Sequence, residues 1–221
     1  MATRPVRVWD LPVRLTHWSF VVLVPAMWFT AENSHWGWHT RLGHVLLGLI
    51  LFRILWGFLG TSTARFSSFV RGPRRILAYL RGGYAEDRQI GHNPLGALAV
   101  IALLGVMLAQ IGMGLFAGDP YDGATGPLNP LVGVMTADTL TDWHEAFFYV
   151  VAGLIGVHIL AIGFYAVLRM DDLVGPMITG KREAAADIDG IGAMKWGRAA
   201  VCAAIAAAAA LWIWFGAPPL T

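Results

Sequence analysis

The chain has 221 residues, of which 57% are hydrophobic and only 14% charged, with ten tryptophans and a formal net charge of +2. Such a composition lies outside the soluble range and marks an integral membrane protein, while the small net charge and the lack of a basic patch interleaved with aromatics exclude a nucleic-acid partner. A single cysteine, Cys202, excludes a disulfide framework, a thiolate zinc site and a covalently attached c-type haem, which needs C-x-x-C-H.

The first apolar segment, residues 11–31, opens with Pro12, holds His17 about two turns in and carries Pro25, which should kink it. No small-residue cleavage site follows its apolar core, so it is expected to stay as a membrane span. Residues 32–41, ENSHWGWHTR, read as a short loop with interfacial tryptophans, followed by a second span over 42–59 with His44 in its first turn. The connection 60–92 carries six arginines, Arg65, Arg71, Arg74, Arg75, Arg81 and Arg88. Within it, GPRRILAYLRG has Pro73 at a start and Gly82 at a stop, which predicts a short amphipathic helix on the membrane surface.

Asn93 and Pro94 supply an N-cap and a first-turn residue for a third span over 94–117. Residues 118–142 are rich in Gly, Pro and Asp and contain no Lys or Arg. A fourth span is expected over 143–168, then a polar linker over 169–195, and an Ala-rich fifth span over 196–215 that ends on Trp212 and Trp214. The expected fold is an all-α integral membrane protein. Thirteen of the sixteen Lys and Arg lie in the N-terminal residues 1–18, the 60–92 connection and the 169–195 linker, and one lies in the two opposite loops. By the positive-inside rule the N-terminus is cytoplasmic and, with five spans, the C-terminus is outside.

Two histidines share the fourth span. Fourteen residues at ~100° and 1.5 Å each bring His158 to within roughly 40° of His144 and about 21 Å along the axis. Imidazole is a ligand for haem iron, and ionisable groups inside membrane helices are read first as functional. Orientation puts His44 and His144 at the outer level and His17 and His158 at the inner level, giving two axial pairs on three helices. The plain alternative for each is a capping or interhelical polar group. Gly48, one turn after His44, and Gly153 and Gly156, between the fourth-span ligands, would let haem meet helix backbone, although small residues also pack membrane helices.

His39 is the rival of His44, but it precedes the apolar run and reads as interfacial. His92 opens the third span at the inner level, where it can handle a proton or simply cap the helix. Arg53, nine residues after His44 and so about 180° round the helix, is left to snorkel or to meet inner propionates. Arg14 is a second propionate candidate beside ordinary interfacial charge, and Gln110, deep in the third span, reads as an interhelical hydrogen bond.

LTHW at His17, GHVLLG at His44, WHE at His144 and GVH at His158, with VRVWDLPVRLTHW, LFRILWGFLG to ARF, GHNPLGAL and MITGK, resemble the bacterial cytochrome b561 and nickel-hydrogenase b-type cytochrome superfamily. These motifs cover nearly all of residues 6–182. The resemblance implies an up-and-down four-helix transmembrane bundle around two non-covalent b haems, passing electrons between the quinone pool and a partner on the outer face of a bacterial cytoplasmic membrane. Residues 1–182 would form the di-haem domain, and 183–221 a linker and fifth helix beyond the short four-span members.

Quinone is expected near the cytoplasmic-side haem. The outer carboxylates Asp119, Asp122, Asp138 and Asp142 would suit a basic partner such as a soluble c-type cytochrome, with a hydrogenase-like enzyme as the other candidate. Membrane lipid surrounds the chain, and a homodimer or larger complex fits such a subunit. Two other readings stay open: oxidation of a small reductant such as superoxide by quinone, which needs positive charge at the outer haem mouth, and a non-redox anchor subunit.

Overall fold

A computed structural model describes residues 2–82, 90–118 and 124–220. Arg88, Asp119 and Asp122 lie outside the described residues. The elements, in chain order, are β1 (Thr3–Arg7), α1 (Leu11–Glu32), α2 (Trp36–Leu59), α3 (Phe66–Phe69), α4 (Pro73–Leu80), α5 (Pro94–Phe116), α6 (Val134–Leu168), α7 (Val174–Thr179), β2 (Lys181–Ala185) and α8 (Trp196–Trp214), with a 3-10 turn at Asn129–Leu131. The chain is mostly helical, but the two strands qualify the all-α expectation.

Among the described residues four helices, α2, α5, α6 and α8, are long and apolar enough to cross a membrane. α1 has the length, 22 residues, with Pro25 inside it, but Arg14, Thr16 and His17 dilute the hydropathy of its first half. α2 begins six residues before the expected span and takes in most of the expected outer loop. α6 begins nine residues before its expected span, absorbing VMTADTLTD, and its 35 residues extend about 52 Å against a hydrocarbon core of ~30 Å. Both differences have one cause: hydropathy marks where lipid begins, whereas a helix continues into the interface until something breaks it. Large apolar side chains of α6 such as Tyr149, Leu160 and Val167 are exposed, as a lipid-facing surface requires.

The helices thread two compact units. The first comprises residues 1–16, 53–102 and 156–201. In it β1 and β2 pair antiparallel, Thr3 opposite Ala185 and Arg7 opposite Lys181. Gly180, at φ +82°, ends α7, and its carbonyl accepts the Val8 and Trp9 amides at 2.8 and 3.2 Å. Asp10, 2% exposed, caps α1 through the Val13 amide at 2.8 Å, and its other oxygen accepts the Trp56 indole N–H at 2.9 Å and the Thr61 hydroxyl at 2.6 Å. One carboxylate thereby ties the start of α1 to the end of α2 and the turn after it. The surface helix forms where Pro73 and Gly82 predicted it, with Gly82 at φ +75°, and Tyr79 is hydrogen-bonded to Tyr165, which also accepts from Asn93 Nδ2 at 2.9 Å.

The second unit comprises residues 17–52, 103–155 and 202–221. Its buried apolar residues include Leu46, Leu47 and Ile50 of α2, Leu104, Met107 and Ile111 of α5, and Val151 of α6. Cys202, Ala206 and Ala210 repeat every fourth residue along the buried stripe of α8. A Cβ at Gly48 would stand 3.7 Å from that of Ala210, so the small-residue face of α2 receives α8.

Candidate functional site

The second unit holds a cavity of about 750 Å³, within the ~300–1,000 Å³ of cofactor clefts, lined by residues of α1, α2, α5 and α6. Among the imidazoles that line it are His39, one turn into α2, and His144 of α6. The ring centres of these two stand 6.0 Å apart with planes at 86°. Two imidazoles bound through nitrogen on opposite sides of one metal, at about 2.0–2.1 Å each, have ring centres roughly 6.4 Å apart.

Backbone carbonyls fix both tautomers. His39 Nδ1 lies 3.0 Å from the Met27 carbonyl, and His144 Nδ1 lies 2.9 Å from that of Gln110. A carbonyl only accepts, so each Nδ1 carries the proton and each Nε2 keeps the lone pair that a metal uses. Gln110 Nε2 in return donates to the His144 carbonyl at 2.8 Å, the interhelical bond expected of it. This donor set fits a bis-imidazole haem.

Gly114 of α5 is what lets the backbone come this close to His144. A Cβ there would lie 2.8 Å from Cε1 and 3.0 Å from Nδ1 of that ring. Because the ring is pinned by Gln110, it can yield only by breaking that bond. Gly114→Val is therefore expected to cost about 1–3 kcal/mol of stability and, by tilting the His144 ring, to change the EPR spectrum of the haem-loaded protein. An unchanged spectrum would remove Gly114 from the site.

His44 also lines the cavity, but the structure does not bring its ring to His144. Its Nδ1 bonds the Thr40 carbonyl of its own helix at 2.8 Å, its ring meets Trp214 of α8 edge-on at 4.5 Å, and its Nε2 is buried without a hydrogen-bond partner. Gly48, one turn on, shares this α8-facing side. Gly153 and Gly156 of α6 face open space, where an added Cβ would meet no atom within 4 Å. The sequence signal for His39 is helical continuity, because Gly37 alone does not interrupt a helix between Trp36 and Leu42.

The inner candidates divide between the units: His17, edge-on to Trp18 at 5.3 Å, belongs to the second, and His158 to the first. In the first unit His92 is wedged between Trp9 and Phe69, each 4.6 Å away between ring centres. This enclosure pushes its imidazole down to about 3, with the charge of Arg53 and then that of His158 adding to the effect, so His92 is neutral. Arg53 is buried, donates at 3.4 Å to the Ala64 carbonyl and lies over the Phe66 ring at 5.4 Å, which places it against the turn after α2 instead of in a snorkelling position. Arg14 donates to the Ile178 carbonyl.

Residues 8–180 match the sequence profile of the prokaryotic cytochrome b561 family. The chain belongs to that family. The b561 protein is also similar to three proteins named as probable Ni/Fe-hydrogenase B-type cytochrome subunits. Those of Azotobacter chroococcum mcd 1 and Azotobacter vinelandii are 26% and 27% identical, each comparison covering 80% of this chain and 88% of the relative. That of Bradyrhizobium diazoefficiens is 24% identical over 80% and 86%. No solved structure matches. This b561 protein is a multi-pass membrane b-type cytochrome, carrying haem b and serving electron transfer.

Proposed function

We propose that this cytochrome transfers electrons across the bacterial cytoplasmic membrane between the quinone pool and a periplasmic redox partner, and that it holds two b haems. Haem iron supplies one-electron redox chemistry when bound, and the chain supplies ligands, low dielectric and water exclusion. His39 and His144 hold the outer haem, in place of the His44 and His144 pair expected from hydropathy. His17 of α1 and His158 of α6 are the ligand candidates that helical rise along each helix offers for the second haem. Residues 1–182 are the haem-carrying part, the N-terminus is cytoplasmic, and α1 with the four apolar helices makes five spans. Quinone is placed near the inner haem, with His92 as a neutral group able to hydrogen-bond a carbonyl.

The observation that carries this reading is the His39 and His144 pair, two rings 6.0 Å apart with both Nδ1 atoms committed to carbonyls. The cavity they share is lined by Glu32, Asp142 and Glu145 and, among the described residues, by no Lys or Arg. Negative charge there repels superoxide and favours a basic protein partner. The similar proteins named as hydrogenase subunits make a hydrogenase-like enzyme the other partner to test.

Purified protein is expected to show two low-spin b haems per chain by pyridine haemochrome and EPR, to be reduced by a quinol, and to pass electrons to added cytochrome c. A preparation holding haem but neither reduced by quinol nor oxidised by any periplasmic carrier would favour the anchor reading instead.

A further inference from the structure

A second cleft, of about 250 Å³, lies within the first unit and is lined by Arg7, Arg14 and Lys181 together with Trp9 and Trp196. Arg7 and Lys181 are direct partners across the β1–β2 ladder, and like charges in that position destabilise a strand pair. Asp10 also lines the cleft, but its oxygens already accept from Val13, Trp56 and Thr61. Glu183 stands two residues further along β2, opposite Pro5. Among the described residues no carboxylate pairs with Arg7, Arg14 or Lys181. Arg14 spends one nitrogen on the Ile178 carbonyl, and its Nε is buried with no partner. Gly180 lets that guanidinium approach, since an added Cβ would lie 3.2 Å from Arg14 Nη1.

Three cations around one small cleft, the exposed Arg7 and Lys181 brought together by strand register, favour an anion. The depth of the cleft says which. Trp196 is the first residue of α8, a helix fit to span the bilayer, so the cleft opens at headgroup level, where basic pockets take anionic lipid headgroups and tryptophans sit.

We propose that this cleft binds the phosphate of an anionic membrane lipid. Arginine presents a planar fork to phosphate oxygens and lysine a point charge, so Arg7, Arg14 and Lys181 together hold a phosphodiester that a zwitterionic headgroup, carrying its own ammonium, fills less well. Binding relieves the Arg7 and Lys181 repulsion and so ties the β-ladder to the membrane surface.

The test is native mass spectrometry and thermal melting of the full-length, haem-loaded protein with phosphatidylglycerol or phosphatidylcholine. Wild type should retain phosphatidylglycerol selectively and melt higher with it. Arg7→Gln with Lys181→Gln should weaken that binding about 30-fold with the haem spectrum intact. Lys181→Glu guards against a folding artefact: it creates a cross-strand ion pair with Arg7, so it should melt no lower than lipid-free wild type while losing the lipid response. Retention of phosphatidylglycerol by both variants, or equal retention of phosphatidylcholine by wild type, would overturn the proposal. So would displacement of the lipid by an equal concentration of inorganic phosphate, which would make free phosphate the occupant.

Discussion

His39→Ala is expected to remove one of two low-spin haem signals, while His44→Ala leaves both. Both imidazoles line the cavity, and each commits Nδ1 to a carbonyl and so keeps an Nε2 able to ligate. What separates them is the acceptor that orients each ring. His39 reaches across from α2 to the Met27 carbonyl of α1, with Thr30 Oγ1 at 3.5 Å, and this holds its ring 6.0 Å from that of His144. His44 turns back on Thr40 of its own helix and packs against Trp214. With His144 as its one remaining protein ligand, a haem held in this cavity would turn high-spin. EPR and haemochrome titration of the two variants decide the matter, and loss of a haem from His44→Ala alone would reverse the assignment.

Asp10→Ala is expected to cost roughly 3–5 kcal/mol of stability, the scale for removing one member of a buried polar network. Three donors depend on this one carboxylate: the Val13 amide, the Trp56 indole, fully buried, and the Thr61 hydroxyl. Truncation takes the Asp10 oxygen away from the indole N–H in a place water does not reach. Asp10→Asn separates charge from hydrogen bonding. Its carbonyl can still take the Val13 amide, but its NH2 then faces the indole N–H, so most of the loss should persist. Thermal melting of both variants followed by haem absorbance tests this, and an Asn variant as stable as wild type would show that the second oxygen matters little.

Composition and periodicity were enough for the class of the molecule. Long apolar runs admit few structures in lipid, where backbone groups must be satisfied within the segment, so the apolar helices were legible from residue type alone. So were the Pro73 to Gly82 surface helix, because proline and glycine act locally, and the fourteen-residue interval of His144 and His158, because both lie on one helix. Haem chemistry was legible from histidines without a thiolate partner.

Tertiary structure decided what depends on residues far apart in sequence. Hydropathy set His39 in a loop because Trp36, Gly37 and Thr40 are not lipid-like. A helix started there nonetheless, and the carbonyl of Met27, twelve residues back, aimed the ring. Gly48 and His44 read equally well as a haem cradle until α8 supplied Ala210 and Trp214 against them. Arg7 and Lys181, 174 positions apart, become neighbours only through the register of two short strands. Local sequence sets what an element is, but the partner a side chain meets is set by the packing of elements, and ligands, acceptors and clustered charges all belong to that second kind of information.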